Sequence, residues 1–133
     1  MDLEQPASPL REVINQSREA FDVETRMERG WAVFDVQGDV DVYSAPMLRH
    51  EILARIERGE SRIIVNLEKV EFLDSTGVSV MINGLKRARN ENGTLVLARP
   101  GDQVRRLLNL THLDRVLPVF PTVEEAVSLG EPA

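Results

Sequence analysis

Ile63-Ile64-Val65-Asn66-Leu67-Glu68-Lys69-Val70-Glu71-Phe72-Leu73-Asp74-Ser75-Thr76-Gly77-Val78-Ser79-Val80-Met81-Ile82-Asn83-Gly84-Leu85 changes its period halfway along. Ile63 to Leu67 is a continuous apolar run, the pattern of a parallel strand covered on both faces. Beyond Asp74, the residues Val78, Met81, Ile82 and Leu85 recur at i, i+3, i+4 and i+7, the spacing of one helical face. Between the two, Asp74-Ser75-Thr76-Gly77 places a carboxylate and two hydroxyls at a helix start. Exposed N–H groups and the helix dipole make such a position hospitable to an anion, including a phosphate.

The flanking chain extends the same alternation. Phe21, Val23, Thr25 and Met27 alternate with Asp22, Glu24 and Arg26, which predicts an edge strand with one wet face. Glu28-Arg29-Gly30 is a short turn, and Trp31 to Val36 is apolar almost throughout, so the two strands are expected to pair as an antiparallel hairpin. Ser44 to about Arg58 reads as a helix with Ala45, Leu48, Ile52 and Ile56 on one stripe, Pro46 in its first turn and Gly59 at its C-terminal end. The helix after Asp74 is expected to end at Asn92-Gly93, and Thr94 to Ala98 forms another strand. Pro100-Gly101 precedes a short helix with Val104, Leu107 and Leu108. Val116 to Phe120 is expected as a last strand, kept near an edge by Pro118. Thr122 caps a terminal helix, with Glu125 as its capping-box partner. The order ββαβαβαβα predicts a mixed, mostly parallel sheet with an N-terminal antiparallel hairpin and about four helices packed on it.

One compact domain is expected from 133 residues, of which 42% are hydrophobic and 29% charged. Residues 1–19, with Pro6 and Pro9, read as a loose extension; residues 20–130 are the folded unit and 131–133 a tail. A net charge of −6 argues against nucleic acid as a main partner. Lys86, Arg87 and Arg89 cluster late in a predicted helix, a solvated face first and a docking patch second. The chain has no cysteine, no signal-peptide pattern at Met1-Asp2-Leu3-Glu4-Gln5-Pro6 and no apolar run long enough for a bilayer, which together suit a cytoplasmic protein.

Enzyme chemistry finds little support. His50 and His112 have no His or Cys neighbour at metal-ligand spacing, so no metal is expected. Walker A, G-x-G-x-x-G and G-x-S-x-G patterns are absent, and no cofactor is implied. Ser75 has no His or Lys nearby in sequence to activate it as a nucleophile. Two loops concentrate polar residues instead: Gly38-Asp39-Val40-Asp41 and Asp74-Ser75-Thr76-Gly77. Both follow strands of a parallel sheet, so they are expected as neighbours on the rim where α/β proteins bind ligands. The residues alone also allow a plain structural role, with Asp41 or Ser44 capping one helix and Asp74 or Ser75 the other.

Asp74-Ser75-Thr76-Gly77-Val78, preceded by Asn66-Leu67 and by Phe72-Leu73, resembles the phosphorylation segment of bacterial anti-sigma factor antagonists, the STAS domain family. Gly38-Asp39-Val40-Asp41 resembles the Gly-Glu-Leu-Asp turn of that family. The element order matches too, over roughly residues 20–130. Val78 departs from the more usual Leu, and Ser79 stands where Gly or Ala is common. The resemblance implies a partner-switching regulator and not an enzyme. In such proteins the unphosphorylated form binds an anti-sigma factor that is also a serine kinase of the histidine-kinase-like ATPase fold, which frees a sigma factor, and the same is expected here. Phosphorylation dismisses the antagonist, and a PP2C-type phosphatase restores it. By position Ser75 is the implied acceptor, with Thr76 the rival. Asp39, Asp41, Asp74, Thr76, Gly77 and Val78 are the implied partner-binding residues, in a monomer or weak homodimer. Phosphate oxygens are expected to take the N–H groups of Gly77 and Val78. A self-assembling STAS scaffold subunit of a stress-sensing complex, or a small-ligand or nucleotide-binding STAS module, are the competing expectations. Size-exclusion chromatography and nucleotide calorimetry respectively discriminate them.

Overall fold

A computed structural model describes residues 20–130 of the chain. The expectations for residues 1–19 and 131–133 lie outside the described residues. The elements are β1 (Asp22–Glu28), β2 (Trp31–Gln37), α1 (Ala45–Glu57), β3 (Arg62–Lys69), α2 (Ser75–Asn90), β4 (Thr94–Ala98), α3 (Asp102–Leu110), β5 (Val119–Phe120) and α4 (Val123–Leu129), with a 3-10 turn at Leu113–Arg115. The chain is a single α/β domain in which the strands lie in the order β1-β2-β3-β4-β5. The β1–β2 pair is antiparallel and the other pairs are parallel.

That order dictates the layers. Each crossover from β2 to β5 steps one strand in the same direction, and right-handed crossovers then stack α1, α2 and α3 on one face. The main core forms there, where Phe34, Val65 and Leu97 of the sheet meet Leu48 and Ile52 of α1, Met81 and Leu85 of α2, and Val104 and Leu108 of α3. Among the described residues, the opposite face is covered by α4. Its Val123, Ala126 and Val127 cover Trp31, Val33, Ile64, Val96 and Ala98. One helix is too narrow for five strands. Toward β1 this face is therefore polar, as the alternation in β1 requires: Glu24 lies opposite Asp35, and Asp35 opposite Asn66.

The hairpin turn has φ of 49° at Arg29 and 87° at Gly30, so both central residues are left-handed, as a two-residue turn matched to strand twist requires. The expected α1 stripe of Ala45, Leu48, Ile52 and Ile56 is buried in full. The α2 stripe is rotated from expectation. Its buried residues are Gly77, Val80, Met81, Gly84, Leu85 and Ala88, while Val78 and Ile82 are half-buried. The last strand is also shorter than expected: residues 113–115 turn as a 3-10 helix, Leu117 is buried, and only Val119 and Phe120 pair with β4. The Thr122 hydroxyl accepts the Glu125 N–H at 3.0 Å, capping α4. No described helix is long and apolar enough to cross a membrane.

Candidate functional site

The β2–α1 and β3–α2 loops leave the carboxyl ends of adjacent parallel strands and are joined by backbone hydrogen bonds. Val40 N–H donates to Phe72 O at 2.9 Å, and Asp74 N–H donates to Val40 O at 3.1 Å. Val40 and Leu73 thereby make a parallel bridge, and Gly38 N–H adds a bond to Lys69 O at 3.0 Å. The expected proximity of the two polar loops is thus a continuation of the β2–β3 ladder beyond the strands. Gly77 permits it: a Cβ there would stand 2.6 Å from Leu73 Cδ1, 2.8 Å from Val40 Cγ1 and 2.9 Å from Val40 O.

Asp74 is the N-cap of α2. Its backbone is extended (φ −99°, ψ −176°) and its Oδ1 accepts the Gly77 N–H at 3.0 Å. Ser75 is the first helical residue and is exposed, whereas Thr76 is half-buried and Gly77 buried. The Gly77 N–H is therefore taken by Asp74, and the Val78 N–H donates to Asp74 O at 3.0 Å in the first helical bond. This corrects the expectation that those two groups receive phosphate oxygens. The open donors are the N–H groups of Ser75 and Thr76, which have no hydrogen-bond partner among the described residues. A helix leaves its first N–H groups unpaired for the same geometric reason.

The other loop is a closed clasp. Asp41 is 6% exposed, and its Oδ1 accepts the N–H groups of Tyr43 at 3.0 Å and Ser44 at 3.1 Å. Ser44 occupies the N-cap position of α1 but makes no capping bond. Its hydroxyl instead accepts the Asp41 N–H at 3.0 Å and donates to Asp39 O at 2.7 Å. Asp41 thus shapes the loop from inside it, while Asp39 and Asp74, one in each of the two linked loops, are half-buried. Neither helix function excludes the other: Asp74 caps, and Ser75 stays open.

Apolar residues that belong to no sequence period also line this rim. Val42 (56%), Tyr43 (81%), Met47 (53%) and Phe72 (51%) are exposed around the two loops. Large apolar side chains in loops and first turns, outside any strand or helix period, were the signal. Exposed clusters of this kind mark interaction surfaces. His50 lies exposed on α1 and His112 exposed past the end of α3, and among the described residues no group of acids and histidines could hold a metal ion.

On the far face of the sheet, Asp35 accepts Arg26 Nε–H and Asn66 Nδ2–H, both at 2.8 Å, beside a shallow groove of about 480 Å³. Burial pushes the Asp35 carboxyl up, but the Arg26 and Asn66 hydrogen bonds and the Arg26 and Lys69 charges outweigh it, so the net shift is below the ordinary carboxylate range.

Comparison with known proteins fits this geometry. Residues 22–126 match the model of the STAS domain. The chain is 30% identical over 93 residues to the anti-sigma-B factor antagonist of Bacillus subtilis, covering 70% of this chain and 84% of that protein. The crystal structure of an anti-sigma factor antagonist from Mycobacterium paratuberculosis superposes with a TM-score of 0.75 at 28% identity, covering 82% of this chain and 92% of that one. The Bacillus cell fate determinant SpoIIAA in its phosphorylated form superposes with a TM-score of 0.63 at 26% identity, covering 82% and 97%. The sheet and its helices are those of a STAS domain, and the chain belongs to the STAS family, as an anti-sigma factor antagonist of the SpoIIAA type.

Proposed function

We propose that this protein is a phosphorylation-controlled partner switch whose acceptor is Ser75. The observation that carries the proposal is the contrast at the start of α2: Ser75 is exposed, Thr76 is half-buried, and the N–H groups of both are open. A phosphate on Ser75 meets two donors and the positive end of a 16-residue helix. The fold therefore tolerates the modification. A docked partner does not, because phosphate adds about −1.5 to −2 charges to a rim that already carries Asp39 and Asp74. Burying that charge without a cation costs several kcal/mol, and about 1.4 kcal/mol is already tenfold in affinity.

In this scheme the unphosphorylated form binds an anti-sigma factor that is also a serine kinase of the histidine-kinase-like ATPase fold, and so releases a sigma factor. A PP2C-type phosphatase regenerates it. The protein is a substrate and a binding partner, not an enzyme. It works in the cytoplasm as a monomer or weak homodimer, with residues 20–130 as the switching unit. Gly77 and Asp41 act indirectly, Gly77 by letting α2 approach the other loop and Asp41 by holding that loop closed. Val78 supports the first turn from a half-buried position. Contact falls to Ser75, Asp39, Asp74 and the exposed apolar side chains of the rim.

Binding to the anti-sigma kinase, measured by calorimetry, tests this. Ser75→Ala is expected to bind like wild type and to take no phosphate. Ser75→Asp is expected to weaken binding by at least about tenfold while melting within a few degrees of wild type. Full-strength binding by Ser75→Asp would sink the proposal.

A further inference from the structure

A second feature lies away from the rim. Helices α1 and α2 run side by side, and between them is a groove of about 260 Å³. Its apolar lining comes from Ile52 and Leu53 of α1 and Val80 of α2. Gly84 brings the helices together there: a Cβ on it would stand 2.9 Å from Leu95 Cδ1 and 3.2 Å from Ile52 Cγ2. Three cations border this strip, Arg49 on one side and Lys86 and Arg87 on the other, and no carboxylate lines it. In a chain where 22 acids outnumber 16 bases, such a segregated patch is unexpected. All three are exposed, and none has an ion-pair partner among the described residues, whereas Arg26, Arg55 and Arg99 are paired.

We infer that this groove is a docking site for an acidic amphipathic helix of a protein partner. A helix-in-groove partner presents apolar anchors at i, i+3, i+4 and i+7, which suit a narrow apolar strip. Glutamates flanking those anchors would face Arg49 on one side and Lys86 and Arg87 on the other. The volume falls below the roughly 300–1,000 Å³ of small-molecule pockets, so one or two anchoring side chains fit better than a metabolite. Three cations are also fewer than the about four to eight of a lipid-binding basic cluster, and a net charge of −6 opposes nucleic acid.

Ser75, Ser79, Asn83 and Lys86 form one exposed stripe along α2. Along α2 the helical rise puts Val80, the lining residue nearest Ser75, about 8 Å from it, and Lys86 and Arg87 about 17–18 Å from it. Lys86 and Arg87 lie beyond the Debye length of about 8 Å at physiological salt, so modification at Ser75 leaves their attraction for an acidic partner in place. The inference does not rest on Ser75 being an acceptor.

The test uses the full-length chain labelled with ¹⁵N. It is titrated with two synthetic helical peptides that share a leucine stripe, one flanked by glutamates and the other by lysines, and separately with phosphatidylglycerol vesicles. The glutamate peptide is expected to move the amide resonances of residues 49–53 and 80–87. It should bind at least about tenfold more tightly than the lysine peptide, and lose at least about tenfold in the R49E/R87E double variant, each exposed pair contributing modestly. Ser75→Asp should bind it as wild type does. Thermal melts confirm that the charge reversals leave the fold intact. Any of four outcomes overturns the inference: no binding of the glutamate peptide, equal binding of both peptides, indifference to R49E/R87E, or vesicle binding that displaces the peptide.

Discussion

Gly77→Ala isolates the contact that brings the two loops of the site together. In a free helix the change from Gly to Ala stabilises by about 1 kcal/mol. Here the new methyl would enter space already filled, 2.6 Å from Leu73 Cδ1, 2.8 Å from Val40 Cγ1 and 2.9 Å from Val40 O. Leu73 can turn its terminal carbon aside. The Val40 carbonyl cannot move freely, because it accepts the Asp74 N–H at 3.1 Å. Inserting a methyl into a packed site costs about 1–3 kcal/mol, which exceeds or at least cancels the helical gain. The net expectation is a loss of up to about 2 kcal/mol, and for a domain of this size up to roughly 8 °C in Tm. The start of α2 must also tilt from the 38–44 loop, so partner binding falls along with stability. Urea denaturation of both proteins, with calorimetry against the partner, reads the two effects. A Gly77→Ala protein more stable than wild type would show that propensity wins, and would refute the view that close approach fixes the glycine.

Three further outcomes follow from the same geometry. Asp74→Ala removes the side-chain cap of α2 and frees the Gly77 N–H, so stability should fall by about 1 kcal/mol in denaturant titration; an unchanged midpoint would contradict the cap. Asp41→Ala takes the acceptor from the buried Ser44 amide and the part-buried Tyr43 amide, a loss of about 1–3 kcal/mol, and a loss below a few tenths would mean that the clasp is not maintained in solution. Asp35 has a lowered pKa in the folded chain, so its contribution is complete above its ordinary value of 3.8 and fades as pH falls through the lowered one. The pair is partly exposed and screened, so the effect is about 0.5 kcal/mol. The decline in stability below that value should be shallower in Asp35→Asn, and identical slopes would refute it.

The strands were legible because their patterns are strong. Thr94–Ala98 is buried throughout, and the alternation from Asp22 to Glu28 matches an edge strand whose wet face carries Glu24 and Arg26. The buried face of α2 was harder to see, since Gly84 and Ala88 carry little apolar signal. Their value lies in their small size, which a hydrophobic period does not register. The terminal strand was overestimated for the opposite reason: Val116, Leu117 and Val119 look like a strand, but Leu117 is drawn into the core after a 3-10 turn. That α4 faces away from the other described helices follows from topology and from no single segment. At the site, the positions of Ser75 and Asp74 were readable from the capping pattern. The inward turn of Asp41 was not, because it depends on which backbone amides need an acceptor once the loop has closed. Val42, Tyr43, Met47 and Phe72 were read past because they fit neither period, and their exposure emerged only with the fold.

The central claim, that Ser75 is the switch, is tested most directly by locating the phosphate. The unphosphorylated chain is incubated with ATP and an anti-sigma kinase from the same organism, digested, and its fragments are sequenced by mass. The account predicts a single phosphate on Ser75, absent from Ser75→Ala. A phosphate on Thr76, or none on the fragment that spans residues 74–78, would contradict it.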